Sequence, residues 1–256
     1  MTLTIAVAGK GGTGKTTFAA LLIKYLSENN LGSILAIDAD PSSNLNLVLG
    51  MELYDTIGDI REETLSQVSS GTFDRSISKQ DYLEYRINEC LVEGERVDLL
   101  AMGRPEGPGC YCAANNILRL AIDRLGNSYD FVVIDNEAGM EHISRQTTRH
   151  IDILFVLSDP TVRGLAAAKH IVALIEELRT RVGRAYLVIN RVDGELPPPI
   201  RHGIEELGLD LIGTLPNDPQ VAEFDVVGRP LIELDGDSPI YRAVKEIIGK
   251  AGLKDY

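Results

Sequence analysis

The sequence predicts a single α/β domain built on a mostly parallel, twisted sheet with helices on both faces. Short apolar runs alternate with amphipathic helical patterns, several of the runs end in Asp or Asn, and glycines separate the first run from the first helix. Continuous apolar runs are typical of parallel strands that are buried on both faces. Ligands of such sheets bind beyond the carboxyl ends of the strands, so the residues after each strand are the candidates for function.

Strands and helices are expected in a regular order along the chain. Apolar runs predict strands at 3–8, 33–38, 97–102, 131–135, 151–157 and 185–190. Helical periodicity predicts helices near 15–28, 113–126, 141–149, 163–181, 199–207 and 238–251. Residues 51–96 are polar with weak periodicity, and we interpret them as helical or irregular peripheral structure rather than a second domain. Residues 1–256 are therefore expected to form one domain.

Composition and charge narrow the classes of function. The 256 residues carry a formal net charge of −13, which disfavours a general nucleic-acid binder. No apolar run approaches the ~20 residues that span a bilayer, and the first ten residues lack the basic region of an export signal. Three cysteines do not make a disulfide scaffold and suit a reducing compartment, so a cytoplasmic location is expected.

The loop between the first strand and the first helix carries the strongest motif. It fits the pattern G-x-x-x-x-G-K-[ST] and consists of Gly9, Lys10, Gly11, Gly12, Thr13, Gly14, Lys15, Thr16 and Thr17. Glycines in this pattern let backbone N–H groups point at phosphate oxygens, and the helix adds the positive end of its dipole. Lys15 is expected to reach the β- and γ-phosphates, and the Thr16 hydroxyl to bind Mg²⁺. The sequence therefore predicts a P-loop NTPase domain.

Acidic residues follow two of the predicted strands. Asp38 and Asp40 follow the strand at 33–38, and Asp135 ends the strand at 131–135. Carboxylates beside a polyphosphate repel it unless Mg²⁺ or water lies between them. We expect Asp38 to lie near the magnesium shell, Asp40 to orient the attacking water, and Asp135 to hold a magnesium-bound water. An ordinary turn at Asp40-Pro41 is the alternative.

Two later loops are candidates for contact with the nucleotide base. Asn190-Arg191-Val192-Asp193 resembles the N-K-x-D motif of GTPases, with arginine in place of lysine. Asn190 could bond either purine, whereas Asp193 suits the donors of guanine, so GTP stays open beside ATP. A second candidate follows the last strand and consists of Pro216, Asn217 and Asp218. Ordinary polar loops are the alternative for both segments.

Lys10 places a second lysine inside the phosphate-binding loop, and a solvated loop lysine without a role is the alternative to a contact with phosphate. With Lys10, residues 9–17 resemble the deviant P-loop of the MinD/ParA/nitrogenase iron-protein group of ATPases. The resemblance implies ATP as the nucleotide, a nucleotide-dependent homodimer, and a Lys10 that acts across the dimer interface on the partner's phosphates. The catalytic residues would then be Lys10, Lys15 and Asp40. Residues 136–139 resemble the group's switch II, in which a glycine amide can sense the γ-phosphate.

A Gly/Pro-rich loop leads into Cys110 and Cys112, and a helical pattern follows. The positive end of that helix should lower the thiol pKa and favour metal binding. Two thiolates do not complete a tetrahedral shell, but a symmetric dimer could supply four. Two unreactive cysteines or a redox dithiol are the alternatives. We interpret Cys90 as a small core or surface residue and leave the four histidines out of the metal site.

The P-loop and the C-x-C pair together resemble the CooC-type family of nickel-insertion ATPases. Residues 110–112 and 135–142 resemble the corresponding sequence motifs of that family, and the resemblance covers essentially the whole chain. It implies that Cys110 and Cys112 of two subunits bind one Ni²⁺ or Zn²⁺ at the dimer interface and that ATP is coupled to this site. Carbon monoxide dehydrogenase or acetyl-CoA synthase would be the client enzyme.

Two other functions are compatible with the sequence. A MinD- or ParA-like positioning ATPase would act on a membrane or on DNA, but the net charge disfavours DNA. The final helix, near 240–253, could lie on a membrane, although we expect it to pack against the sheet. An iron–sulfur scaffold or electron donor could use four thiolates for a cluster, and anaerobically purified protein would then be brown.

Overall fold

The computed structural model describes residues 2–74, 76–103, 112–137, 150–178 and 181–255, and seven strands of these residues form one sheet. The strands are β1 (Leu3–Gly9), β2 (Ile34–Asp38), β3 (Val97–Ala101), β4 (Phe131–Asp135), β5 (His150–Ser158), β6 (Arg181–Ile189) and β7 (Asp210–Thr214). Their order across the sheet is β3-β2-β4-β1-β5-β6-β7, and each neighbouring pair is parallel. The predicted fold class is therefore confirmed.

Helices connect these strands along the chain. They are α1 (Lys15–Glu28), α2 (Leu45–Leu49), α3 (Ile57–Ser70), α4 (Lys79–Cys90), α5 (Cys112–Leu125), α6 (Val162–Leu178), α7 (Pro198–Leu207), α8 (Pro219–Val227) and α9 (Pro239–Lys250). The bounds of α1 and β4 agree with the prediction, and most others differ by one to three residues. The helix predicted at 141–149 lies outside the described residues. Helix α8 was not predicted.

The core has two layers, one on each face of the sheet. Alternate residues of β1 face opposite layers, since Ile5 and Val7 belong to one cluster of buried side chains and Ala6 and Ala8 to the other. The first layer includes α1 and α9, and the second includes α5, α6 and α7. This double coverage explains why the strands have continuous apolar sequences rather than alternating ones.

The polar segment 51–96 contains α3 and α4, so the helical interpretation holds for these two stretches and the irregular one for the residues around them. Thr56 begins α3 with a capping box, because its side chain accepts from the Asp59 N–H while the Asp59 carboxylate accepts from the Thr56 N–H. Arg86 of α4 forms an ion pair with Glu63 of α3 at 2.6 Å. Ile57 of α3 and Ile87 of α4 are buried in the second core layer, so both helices pack against the core of the domain.

Helix α9 packs onto the domain, as expected from its sequence. Tyr241, Val244 and Ile248 are buried in the first core layer, and the Tyr241 hydroxyl donates to Glu28 of α1 at 2.5 Å. Its apolar face is thus already covered by protein. Among the described helices, none has the length and apolar character needed to cross a membrane.

Candidate nucleotide-binding site

The glycine-rich loop leaves the central strand β1 and enters α1. The Thr13 N–H and hydroxyl both donate to the Lys10 carbonyl, at 3.3 and 2.7 Å, which closes the loop into a compact turn. Gly14 adopts φ 89°, a left-handed conformation that favours glycine, and stands at the start of α1 in place of a side-chain cap. The loop therefore lies at the positive end of the α1 dipole, the position in which phosphate groups are bound.

The two lysines of this loop differ in environment. Lys15 is buried, and its Nζ lies 3.5 Å from the Lys10 carbonyl oxygen. Burial lowers the Lys15 pKa, although the charges of Asp135 and Asp40 oppose that shift. The Lys10 residue, in contrast, is exposed at the surface. Lys15 is thus placed to contact a phosphate inside the loop, whereas Lys10 is accessible from outside the molecule.

Thr16 and Asp135 form a pair beside the loop. The Thr16 hydroxyl donates to Asp135 Oδ2 at 2.6 Å, and Asp135 ends β4, the strand next to β1. The second oxygen, Oδ1, is buried and has no hydrogen-bond partner within the described parts of the chain. Burial raises the Asp135 pKa to about 7. A buried carboxylate oxygen without a partner, next to a threonine hydroxyl, fits a divalent cation such as Mg²⁺.

Asp38 lies across from Asp135 in the sheet and organises the loop that carries Asp40. Its oxygens accept from the Asp40 N–H at 3.0 Å and the Leu45 N–H at 2.8 Å. Burial raises the Asp38 pKa to about 6, although these hydrogen bonds oppose the shift. Asp40 itself is partly exposed and accepts from the Ser42 N–H at 2.8 Å. The structure brings Asp38, Asp40 and Asp135 to one side of the phosphate loop.

The segment after β4 is described only as far as Glu137. Asn136 is buried, and its backbone N–H and side-chain amide both donate to the Val7 carbonyl, at 3.1 and 2.9 Å. This contact fixes the end of β4 against β1, and sequence reasoning did not assign it. The rest of the predicted switch II, including Gly139, lies outside the described residues.

Asn190 follows β6 and contacts the phosphate loop, a contact that the sequence did not predict. Its predicted contact with a base stays a prediction. Its Nδ2 donates to the Thr13 carbonyl at 2.8 Å, and its Oδ1 accepts from the Arg191 N–H at 2.8 Å. A Cβ at Gly14 would lie 2.3 Å from Nδ2, so the amide is pressed directly against the loop. Both polar groups of Asn190 are therefore engaged by the protein.

Asp193 and Asn217 lie together at the ends of β6 and β7. The Asn217 side chain donates to Asp193 Oδ2 at 2.5 Å, and the Asn217 N–H donates to Asp193 Oδ1 at 3.4 Å. Both residues are exposed, and Pro216 precedes Asn217 in the loop after β7. The carboxylate that was predicted to suit guanine is thus bound to a neighbouring amide.

Asp218 contacts the beginnings of two helices, and its predicted contact with a base stays a prediction. It begins α8, where its side chain accepts from the Gln220 N–H at 3.0 Å. Its other oxygen accepts from the Ser238 hydroxyl at 2.6 Å and the Ile240 N–H at 3.3 Å, at the start of α9. The buried carboxylate therefore caps one helix and binds the beginning of another.

The predicted metal ligands lie at the limit of the described structure. Cys110 falls outside the described residues, and Cys112 is the first residue of α5. The loop that leads to them leaves β3 next to Asp38, because the Met102 N–H donates to the Asp38 carbonyl at 2.8 Å. Cys90 is buried, and burial raises its pKa to about 12, which agrees with a core residue rather than a ligand.

Comparisons with known proteins agree with this arrangement. The model of the CobQ/CobB/MinD/ParA nucleotide-binding domain matches residues 4–231. An uncharacterized ATP-binding protein of Methanocaldococcus jannaschii is 49% identical over 246 residues, which cover 96% of this chain and 97% of that protein. The carbon monoxide dehydrogenase accessory protein CooC of Rhodospirillum rubrum is 29% identical over 90% of this chain and 89% of that protein.

A solved structure shares the fold. The septum site-determining protein MinD of Pyrococcus horikoshii, complexed with Mg-ADP, superposes with a TM-score of 0.70 and 21% identity, and the match covers 99% of each chain. From the family match, the phosphate loop and the acidic residues around it, we conclude that the chain belongs to the CobQ/CobB/MinD/ParA nucleotide-binding family and is an ATPase.

Proposed function

We propose that this ATPase is a dimerising metallochaperone that binds Ni²⁺ or Zn²⁺ through Cys110 and Cys112. Its client would be carbon monoxide dehydrogenase or acetyl-CoA synthase, into which it assists nickel insertion. The observation that carries the proposal is a C-x-C pair in a chain that is 29% identical to the CooC accessory protein over 90% of its length. The ATPase class and the metal-binding pair are thus combined in one domain.

The nucleotide part of the proposal rests on the geometry of the phosphate loop. ATP would lie in the loop, with Lys15 on its β- and γ-phosphates. Thr16 and Asp135 would hold Mg²⁺, with Asp38 nearby, and the ion supplies charge neutralisation on the phosphates when bound. The orphaned Oδ1 of Asp135 supports this assignment. Asp40, which is partly exposed at the same edge, would position the attacking water.

The dimer would connect the nucleotide to the metal. Exposed Lys10 would reach the phosphates of the partner subunit, as the family resemblance implies. Two copies of the C-x-C pair would supply four thiolates, a number that completes a tetrahedral site for a soft metal. The chain that leads to Cys110 leaves β3 at the hydrogen bond between Met102 and Asp38, so it departs from the sheet next to a residue of the nucleotide site. ATP binding and hydrolysis would thereby alter metal affinity.

Metal analysis of purified protein tests the thiolate site. We expect about one Ni²⁺ per dimer in the unaltered protein. Loss of this nickel is expected when Cys110→Ser and Cys112→Ser are combined, because serine hydroxyls are poor ligands for soft metals. Cys90→Ser is the matched control, since that thiol is buried and lies outside the C-x-C motif, and its replacement should leave the metal content unchanged. Nickel retained by the double variant would refute the site.

A positioning ATPase of the MinD kind is the second candidate, favoured by the shared fold. The apolar face of α9 is buried against the domain, so this helix does not offer the amphipathic surface that membrane attachment would need. An iron–sulfur scaffold would use the same four thiolates, and a brown chromophore in anaerobically purified protein would favour it over nickel delivery.

A further inference from the structure

The orientation of a nucleotide in this site follows from the distribution of charge around the phosphate loop, given the proposed ATP site. Asp38 and Asp135 end β2 and β4, which lie on one side of β1. The loops that follow β6 and β7 lie on the other side of β1. The γ-phosphate and Mg²⁺ belong beside the acidic residues. The base is therefore directed toward the β6–β7 side.

Asn190 and Asn217 lie in the loops that follow β6 and β7, and they differ in whether a hydrogen-bonding group remains for a ligand. Asn190 uses both its amide nitrogen and its oxygen within the protein, on Thr13 and Arg191. Asn217 uses its nitrogen on Asp193, at 2.5 Å, and is exposed at the surface. The β6 and β7 loops are held side by side, since the Val192 N–H donates to the Leu215 carbonyl at 3.0 Å. Of these two residues, Asn217 thus has the side-chain oxygen that remains for a base.

Asp193 decides which way the Asn217 amide points. A carboxylate accepts hydrogen bonds and cannot donate them, so the NH₂ group of Asn217 must face Asp193. The additional bond from the Asn217 backbone N–H, at 3.4 Å, holds the carboxylate in place. The Asn217 oxygen, Oδ1, is consequently turned away from Asp193 as an acceptor.

We propose that Asp193 is a positioning residue that makes the site selective for 6-aminopurine nucleotides by fixing the orientation of Asn217. Adenine carries an amino donor at C6, which matches the Asn217 oxygen, whereas guanine carries an oxygen there and places acceptor against acceptor. A polar site rejects a ligand that leaves its groups unpaired or opposed. The same aspartate that resembles a guanine reader would therefore exclude guanine.

Competition binding with three triphosphates tests this role. ATP, GTP and purine riboside triphosphate, which lacks the 6-amino group, would displace a ribose-labelled fluorescent ATP analogue in the presence of Mg²⁺. We expect the unaltered protein to prefer ATP over purine riboside triphosphate about fivefold, the value of one neutral hydrogen bond. In Asp193→Asn the new amide at position 193 can donate or accept a hydrogen bond, so the side-chain amide of Asn217 can rotate. That preference should disappear, and GTP should bind more tightly than to the unaltered protein.

The outcomes separate a positioning role from a structural one. Asp210→Asn is the matched control, because Asp210 is an exposed aspartate at the opposite end of β7, and it should leave all three affinities unchanged. An equal loss of affinity for the three nucleotides in Asp193→Asn would mean that Asp193 only stabilises its loop, which would overturn the proposal. Unaltered discrimination would overturn it as well. Absence of ATP binding in the unaltered protein would refute the nucleotide site itself.

Discussion

At the scale of single residues, Asp135 is a proposed magnesium ligand whose buried charge should lower the stability of the nucleotide-free protein. Its carboxyl is buried next to the phosphate loop, and burial raises its pKa to about 7. An aspartate in an unfolded chain has a pKa near ~3.9. Between these values the folded protein holds a proton that the unfolded chain has released. The free energy of unfolding of the nucleotide-free protein should therefore fall as the pH rises from about 4 to about 7.

Asp135→Asn should separate the two effects. The amide keeps an acceptor for the Thr16 hydroxyl but carries no charge, so at pH 8 the nucleotide-free variant should be more stable by about 1 kcal/mol or more. Its Mg²⁺-dependent ATP hydrolysis should be lost, because a neutral amide is a poor magnesium ligand. Urea unfolding from pH 5 to 8 and a phosphate-release assay would measure both properties.

The contrary results are equally specific. If Asp135→Asn is less stable than the unaltered protein at pH 8, the buried charge of Asp135 does not lower the free energy of unfolding. Addition of Mg²⁺ and ADP should stabilise the unaltered protein and have a much smaller effect on the variant, since ligands that bind the folded state raise its stability.

At the scale of secondary-structure elements, Asp218 joins the beginnings of two helices. Its carboxylate caps α8 and also accepts from Ser238 and Ile240 at the start of α9. α9 in turn covers α1 through Tyr241, whose hydroxyl binds Glu28. A residue predicted to contact a nucleotide base thus stabilises the packing of the last helices.

Asp218→Ala should destabilise the protein by about 2 kcal/mol, because it removes an N-cap and leaves the buried Ser238 hydroxyl without this acceptor. Asp218→Asn is the matched control and should lose less, since its oxygen can still cap α8. Nucleotide affinity should stay close to that of the unaltered protein in both variants. Chemical unfolding and ATP titration would measure the two properties, and a selective loss of ATP affinity in Asp218→Asn would contradict the structural role.

Sequence patterns predicted those elements that have a strong apolar period. α1 and β4 were predicted with their observed bounds, because α1 has an apolar stripe and β4 is a continuous apolar run that ends in Asp135. α8 was missed since none of its residues is buried, which leaves no amphipathic pattern to detect. The prediction places Arg181 in the preceding helix, because this first residue of β6 is exposed and charged and continuous burial begins only at Leu187.

The site could be predicted only in part, for a similar physical reason. The phosphate loop is a local motif, so Gly9 to Thr17 could be assigned from their spacing. The Asn190–Thr13 contact joins residues 177 positions apart, and the Asp193–Asn217 contact joins residues 24 apart. No local pattern specifies such pairs. The contacts of Asn190 and Asp193 within the protein could therefore not be predicted, and their contacts with a base stay predictions.

At the scale of the whole molecule, the exposed position of Lys10 is relevant to how two copies of the chain would assemble into a dimer. The chain carries a net charge of −13, so two copies repel each other at long range, and an interface between them gains from positive charge. Exposed Lys10 lies at the phosphate loop, where the proposed partner's nucleotide would approach it. Dimerisation should therefore depend on ATP.

Lys10→Ala should keep nucleotide binding but lose ATP-dependent dimerisation, and kcat should fall by ~10³-fold, as for a missing arginine finger. Lys169→Ala on α6 is the matched control, because it removes an exposed lysine from elsewhere on the surface. Size-exclusion chromatography with light scattering, with and without ATP, and phosphate release would measure the two effects. An ATP-dependent dimer that persists in Lys10→Ala would contradict the role across the interface.

The position of β1 at the centre of the sheet determines when the site can form during synthesis. β1 is translated first, yet its partners are β4 and β5, so Leu3 pairs with Phe131 and Ile5 with Ile153. A ribosome adds roughly 5 to 20 residues per second, so these partners emerge on the order of ten seconds after β1. The phosphate loop precedes β4 and β5 in the chain but is completed only after both strands have been made. A nascent chain that stops before β4 would therefore have the motif without the binding site.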